Sequence, residues 1–280
     1  MMPFASNARS LCLAGALCVA PLAATAEVSP ALEELSDALG LPQVVAVMAA
    51  EGVDYGAELE AQLFPGRGGP SWSAVVARIY SADLMEASVL ERLAEEMDDT
   101  DLDPLLDFFT SDRGRRIVGF EVSARQALMD EDIEAAAKEA YAQMRRQDDD
   151  RLALLDAFTE ANDLIEFNVM GAMNSSFAFS LGLIDGRAFD GDLTQEQALT
   201  DVWAQEDEIR ADTEEWVYAF LSMAYKPLED ADLEAYVALS HTPEGRAMNR
   251  ALFAAFDAMY VDISRQLGLA AARFLVGEDI

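Results

Sequence analysis

Residues 248–267 read MNRALFAAFDAMYVDISRQL, and the spacing of their large apolar side chains decides the fold class. These side chains recur three or four positions apart, which places them on one face of an α-helix. They are Met248, Leu252, Phe256, Met259, Ile263 and Leu267. A stripe of this kind is typical of core packing rather than of a cofactor site. No convincing run of alternating apolar and polar residues follows residue 26, so we predict an all-α fold.

Turn-forming and strongly polar stretches divide the chain into roughly eight to ten predicted helices. The breaks fall at residues 66–70, 98–100, 111–114, 185–194 and 226–231. The most polar stretch, residues 131–162, predicts one exposed helix that joins two halves of the protein. Residues 167–184 carry no charge and predict a central buried helix. Their five polar side chains and the lack of flanking basic residues argue against a membrane span.

The amino end has the pattern of a cleaved signal peptide. Arg9 precedes an apolar run at residues 11–22, and Ala24-Thr25-Ala26 supplies a small-x-small cleavage site. We therefore predict export, cleavage after Ala26, and a periplasmic or secreted mature protein. The predicted parts are a signal peptide at 1–26, a first helical repeat at 27–147 and a second at 148–280.

The composition excludes several classes of function. Cys12 and Cys18 both lie in the predicted leader, so disulfides, thiol chemistry and zinc ribbons are not expected in the mature chain. The formal net charge of -33 and a total of two lysines argue against a nucleic-acid partner, because a phosphate backbone demands a basic face. The acidity is typical of a surface that keeps a protein soluble, and the alternative is specific recognition of a cationic partner.

The two halves share a segment that aligns without a gap. Residues 101–115, DLDPLLDFFTSDRGR, correspond to residues 232–246, DLEAYVALSHTPEGR, at a constant offset of 131 positions. An internal similarity of this length predicts a duplication, with two related multi-helix halves packed into one helical array.

The repeated segment predicts two helices joined at a capped corner. Ser111 and Thr242 stand where an N-cap hydroxyl accepts a hydrogen bond from a free backbone amide. Gly114 and Gly245 fall in the first turn of the next helix, where the absence of a side chain lets two helices approach closely. A helix N-terminus beside a basic residue can also hold an anion. The candidate binding residues at the two corners are Ser111, Gly114, Arg115, Thr242, Gly245 and Arg246.

The first corner, FFTSDRGR at residues 108–115, resembles the signature of a widespread group of exported bacterial all-helical domains of unknown function. That signature has an aromatic pair, a serine, often a proline, then glycine and a basic residue. The first copy lacks the proline, and the second has Leu239-Ser240 in place of the aromatic pair. The resemblance implies an exported helical domain and supplies no catalytic residues.

Catalytic and metal-binding patterns are weak in this sequence. His241 is the single histidine and corresponds to Thr110 in the other copy, so no catalytic residue is predicted. The aspartates at 99, 101, 103 and 107 begin like a calcium loop, but Pro104 replaces the required glycine, so a helix start is predicted. Asp190, Asp192 and Thr194 similarly predict the capped entry to a helix near Gln195. No metal site and no cofactor are expected.

Three polar residues of the charge-free stretch form a second candidate binding site. Asn168, Asn174 and Ser175 need hydrogen-bonding partners if they are buried, and they could line a pocket between the halves. We therefore expect a non-catalytic envelope protein that binds an unknown envelope protein or a small ligand. The alternatives are a carboxylate-based hydrolase acting on envelope glycans and a protein that binds divalent cations.

Overall fold

The computed structural model describes residues 28–188 and 193–277, and within these ranges all regular secondary structure is helical. The predicted all-α class is confirmed. Thirteen helices are present in the described residues, which is more than the roughly eight to ten predicted from the breaks. They are α1 (Pro30–Ala38), α2 (Leu41–Leu63), α3 (Gly69–Ile79), α4 (Ala82–Glu96), α5 (Asp103–Phe109), α6 (Asp112–Ala127), α7 (Glu131–Gln147), α8 (Leu152–Ala161), α9 (Leu164–Asp185), α10 (Gln195–Ala204), α11 (Glu206–Tyr225), α12 (Asp230–Ser240) and α13 (Pro243–Val276).

The predicted leader and residues 189–192, which include Asp190 and Asp192, lie outside the described residues. All five predicted breaks separate helices. Two local assignments are also confirmed: α5 begins at Asp103, and Thr194 caps α10. Thr194 and Gln197 form a capping box, in which each side chain bonds the other residue's backbone amide.

The prediction of one helix over residues 131–162 is wrong. Asp148 adopts a left-handed backbone conformation with φ of 55° and ends α7. The Asp149 carboxylate then accepts a hydrogen bond from the Arg151 amide at 2.9 Å. Consecutive aspartates offer the backbone such local bonds in competition with the helix, so α7 and α8 are separate.

The longest helix, α13, packs most extensively against α9 and α4 and also contacts α2, α3, α5 and α12. Its buried residues include Met248, Met259, Ile263 and Leu267 of the predicted apolar face. Further along, glycines bring α13 and α9 into backbone contact. A Cβ atom added to Gly182 would lie 2.3 Å from the Arg265 carbonyl oxygen, and one added to Gly268 would lie 2.1 Å from that of Phe179. Only glycine permits this approach without a shift of the helices.

The prediction that the charge-free segment is a central buried helix is wrong in its extent. In α9 the buried residues are Val169, Ala178, Gly182 and Leu183, whereas Met170 is 53% exposed. The helix packs on its neighbours through a narrow stripe, and small residues on that stripe contact α13. The other faces of the helix turn outward or line cavities. By length and composition α9 is long and apolar enough to cross a membrane. Of the 18-residue window of α9 that meets this criterion, 22% is buried.

The two corners predicted from the repeat have the same geometry. Ser111 Oγ accepts from the Gly114 amide at 3.0 Å and donates to the Phe108 carbonyl at 2.6 Å. Thr242 Oγ1 accepts from the Gly245 amide at 3.0 Å, and it donates to the carbonyl oxygen three residues before it at 2.7 Å. The hydroxyls are therefore N-caps, as the sequence predicts.

The two predicted repeats share one hydrophobic core. This core includes Val45 and Leu105 from the first half and Leu221 and Ala255 from the second. An ion pair also joins the halves: the Asp232 carboxylate accepts from Arg113 Nε at 2.9 Å and from Arg116 Nη2 at 2.8 Å. The division at residue 147 remains a prediction from the sequence.

Alanine substitutions at two glycines of α6 test the close packing of the corner. A Cβ atom at Gly114 would lie 2.2 Å from the Phe108 carbonyl oxygen, whereas a Cβ atom at Gly119 has no neighbour within 4 Å. We expect Gly114→Ala to lower the free energy of unfolding by about 1–3 kcal/mol through overpacking. Gly119→Ala should raise it by up to about 1 kcal/mol, because alanine is the better helix former. Urea unfolding followed by circular dichroism measures both, and equal effects would contradict the close approach.

Candidate ligand-binding site

The first corner lies beside a surface groove. Arg115 lines this groove together with Glu34 and Asp37, so the basic side chain faces a region that already contains carboxylates. The Gly114 amide is bonded to Ser111. These groups supply the charge and the hydrogen bonds that an anion would otherwise supply at this helix end.

At the second corner, the Gly245 amide is bonded to the Thr242 hydroxyl, and Arg246 and His241 are exposed. Gly245 itself is buried, and an added Cβ atom would meet the Leu239 carbonyl oxygen at 2.1 Å. The capping role of Thr242 and the packing role of Gly245 account for this corner, and anion binding there stays a prediction.

The three candidate polar residues of α9 have different surroundings. Asn168 is exposed, lines two adjoining cavities that open to solvent, and donates its Nδ2 to the Leu164 carbonyl oxygen at 2.7 Å, whereas the half-buried Ser175 lines a third cavity. Asn174 is also exposed and lines none of these three cavities, and its Nδ2 donates to Asp257 Oδ1 on α13 at 3.0 Å. The structure thus brings two of the three residues to cavities.

The three cavities lie in a row and share lining residues. The inner cavity, of about 270 Å³, is lined by residues of α6, α8, α9, α11, α12 and α13 and opens to solvent beside the exposed Asn168. The middle cavity, of about 640 Å³, shares Glu121, Asn168, Trp216 and Phe220 with it. The outer cavity, of about 460 Å³, lies next to α10 and shares Glu51 and Tyr260 with the middle one. Neighbouring cavities are therefore separated by no more than these shared side chains.

The inner cavity has mostly apolar walls with a few polar groups, which is the composition typical of small-molecule sites. Its apolar and aromatic lining residues are Phe158, Leu164, Trp216, Val217, Phe220, Leu221, Tyr225, Tyr236, Met248, Leu252, Phe253 and Phe256. Apart from the tyrosines, its polar lining residues are Glu121, Asn162, Asn168 and Asn249. The amides of Asn162 and Asn249 are oriented by backbone carbonyls, those of Phe158 at 2.9 Å and Asn162 at 2.8 Å.

Glu121 is the acidic group of the inner cavity. The buried Tyr225 donates its hydroxyl to Glu121 Oε1 at 2.6 Å. Glu121 as a residue is half-buried, and it lines both the inner and the middle cavity. Burial raises the pKa of Glu121 to about 7, and the bond from Tyr225 opposes this increase. The carboxyl therefore changes protonation near neutral pH.

The middle cavity carries both signs of charge. Arg125 forms an ion pair with Glu51, and its guanidinium lies 5.0 Å from the centre of the Trp216 ring. Trp216 in turn stacks on Phe220, with ring centroids 5.5 Å apart. Burial raises the pKa of Glu51 and Arg125 opposes the increase. An arginine is thus held against an aromatic wall that continues into the inner cavity.

The site can enclose a small molecule and offer it one carboxyl group. Among residues 28–188 and 193–277, no group of three or more histidine, cysteine, aspartate or glutamate side chains is placed to hold a metal ion. Glu51, Glu121 and Glu134 line the middle cavity, and Glu121 alone of the three also lines the inner one.

The sequence analysis missed Glu121, although its helix carries a signal for it. Gly114, Ile117, Ala124 and Leu128 are buried, and Glu121 continues their spacing of three or four positions. A carboxyl group at such a position points toward the core, where it requires a partner. The tyrosines of α11 and α12 that surround it could not be assigned to the same space without the tertiary structure.

The raised pKa of Glu121 predicts a pH-dependent stability. The folded protein keeps the proton up to about pH 7, whereas the unfolded chain releases it near the ordinary pKa of 4.5. The contribution of Glu121 to the free energy of unfolding is therefore full below pH 4.5. It is lost as pH rises toward 7, by about 1.4 kcal/mol per pH unit. Glu121→Gln stays neutral, so its advantage in free energy of unfolding over the wild type should grow across this window.

Urea unfolding at a series of pH values measures this difference. Glu91→Gln, which removes an exposed carboxyl on α4, is the control for the loss of one negative charge. A difference between Glu121→Gln and wild type that stays constant with pH would contradict the assigned protonation.

Comparison with known proteins places part of the chain in a bacterial context. Residues 83–143, from α4 to α7, match a family described as "Uncharacterized protein conserved in bacteria (DUF2059)". No curated protein and no solved structure matches the chain. The matched segment contains the first corner and Glu121, and it supports the resemblance to a widespread bacterial family of unknown function.

Proposed function

We propose that this chain is an exported, non-catalytic protein of the bacterial envelope that binds a small, largely apolar molecule in the inner cavity. The observation that carries the proposal is a partly open cavity of about 270 Å³ with aromatic and aliphatic walls and one carboxyl group. Small-molecule sites in proteins have this construction, with volumes of roughly 300–1,000 Å³. The adjoining middle cavity extends the available space.

The proposed location rests on the sequence. The leader pattern at residues 1–26 supports export, and the partial match to a family conserved in bacteria makes the periplasm the compartment proposed. The strongly acidic composition is consistent with a soluble envelope protein. A small ligand is preferred over an envelope protein as the partner because the candidate site is a concave cavity of about 270 Å³ rather than an extended surface.

A second candidate function is a carboxylate-based hydrolase acting on envelope glycans. The observation that favours it is that Glu51 and Glu121 line the same cavity, since glycoside hydrolysis uses two carboxyl groups. The raised pKa of Glu121 suits a general acid. Against it, Glu51 is paired with Arg125, and the walls around Glu121 are mainly apolar.

Incubation with purified peptidoglycan separates the two functions. We expect no release of reducing sugars above a sample without protein, and no difference between wild type, Glu51→Gln and Glu121→Gln. Release by the wild type that is lost in both variants would establish the hydrolase and overturn the non-catalytic proposal.

A pair of leucine-to-tryptophan variants tests ligand binding in the inner cavity. Leu252 lines this cavity, whereas Leu199 on α10 is 44% exposed. The neutral fluorescent probe N-phenylnaphthylamine should bind the wild type and Leu199→Trp with saturation. Leu252→Trp should weaken binding at least about tenfold, or about 1.4 kcal/mol, because the larger side chain fills the space.

Thermal unfolding of both variants verifies that they are folded. Equal affinity of the two variants for the probe, or no saturable binding by the wild type, would reject the inner cavity as the site.

A further inference from the structure

We propose that the ligand of the inner cavity is an organic cation, with an apolar body among the aromatic side chains and an ammonium group at the carboxylate of Glu121. This inference rests on the proposed function and names the chemical class of its ligand. Three observations support it: the charge of the cavity walls, their aromatic composition, and an arginine side chain of the protein that already lies against one of the aromatic rings.

The charge of the lining favours a cation. Among the described residues, Glu121 is the one side chain of the aspartate, glutamate, lysine, arginine and histidine types that lines the inner cavity. In the middle cavity, Arg125 is opposed by Glu51 and Glu134. Since Arg125 is already paired with Glu51, no basic group is left over to neutralise Glu121. A bound ammonium group would supply that missing charge.

The walls provide a second attraction for a cation. Aromatic faces carry partial negative charge and attract ammonium and guanidinium groups within about 6 Å of the ring centre. The rings that line the inner cavity are Phe158, Trp216, Phe220, Tyr225, Tyr236, Phe253 and Phe256. The Arg125 guanidinium, 5.0 Å from the centre of the Trp216 ring, is an intramolecular example at the adjoining end of this wall.

Other ligand classes fit less well. A carboxylate or phosphate ligand would place a second negative charge beside Glu121 in surroundings of low polarity, which is unfavourable. A neutral ligand would satisfy the apolar walls, but it would leave Glu121 protonated or without a counter-charge. The tyrosine that already bonds Glu121 Oε1 leaves the second carboxylate oxygen as the acceptor for the ligand.

Binding of a cation is coupled to the proton of Glu121. The groups that face this carboxyl are Tyr225 on α11 and Tyr236 on α12, and burial raises the pKa of both well above 10. The middle cavity adds Glu51 on α2, Arg125 on α6, Glu134 on α7 and Tyr260 on α13. Glu121 is thus the group that ionises near neutrality, and an amine should bind more tightly as pH rises through 7.

Three probes with one aromatic skeleton test the charge preference: naphthylmethylamine, naphthalenemethanol and naphthoate, which are cationic, neutral and anionic. Titration calorimetry with the wild type at about pH 8 should give an affinity for the amine at least about tenfold above that for the alcohol. Naphthoate should bind more weakly than the alcohol. The preference for the amine should shrink at about pH 6, where Glu121 is largely protonated.

The matched variants are Glu121→Gln and Glu134→Gln. In Glu121→Gln the amine and the alcohol should bind within about twofold of each other, while binding of the alcohol shows that the cavity is intact. Glu134 lines the middle cavity but not the inner one, so Glu134→Gln should keep most of the preference.

The possible outcomes separate this inference from the proposed function. An amine that binds no more tightly than the alcohol, or a preference that survives Glu121→Gln, overturns the cation assignment and leaves the cavity as a neutral site. Failure of all three probes to bind overturns both proposals.

Discussion

The backbone contact between α9 and α13 is the constraint on which the rest of the structure depends. At Gly182 and Gly268 the two helices touch without intervening side chains. Toward their amino ends they are separated by aromatic rings instead, as in the stack of Phe167 on Phe253 with centroids 4.6 Å apart. The contacts occur in the same order along both helices, so the pair is parallel. Small residues at one end and large ones at the other leave space beside the aromatic end, where the inner cavity lies.

The two corners show how one local motif serves two different surroundings. In each, a side-chain hydroxyl caps the second helix. A glycine in the first turn of that helix lets a carbonyl oxygen of the preceding helix come close, so the local geometry is the same. The neighbours differ because α6 turns Glu121 toward the interior, whereas α13 contributes Met248, Leu252 and Phe256 to the cavity walls. Any duplication has therefore diverged at the site, and the two halves contribute different chemistry to one shared core.

One of the many carboxyl groups of this strongly acidic protein lies among aromatic side chains and not on the surface. Carboxylates on the surface are solvated and cost little, but a carboxylate among aromatic rings is unfavourable without a counter-charge. The protein holds Glu121 with a tyrosine hydroxyl and places the nearest arginine on Glu51. This arrangement leaves the pKa of Glu121 near neutrality and its second oxygen available, which distinguishes the cavity from ordinary core packing.

By itself the sequence determined the helical class, the five main breaks, the capped corners and the apolar face of α13, because these features depend on contacts within a few residues of each other. It did not separate α7 from α8, since the left-handed turn at Asp148 competes locally with a continuous helix. Of the predicted polar residues, Asn168 and Ser175 line cavities and Asn174 does not, because the packing of neighbouring helices decides where along α9 a cavity forms. The site around Glu121 joins α6, α11 and α12, whose residues are about a hundred positions apart. Only the tertiary structure decided that meeting, because it depends on the packing of whole helices and not on any local pattern.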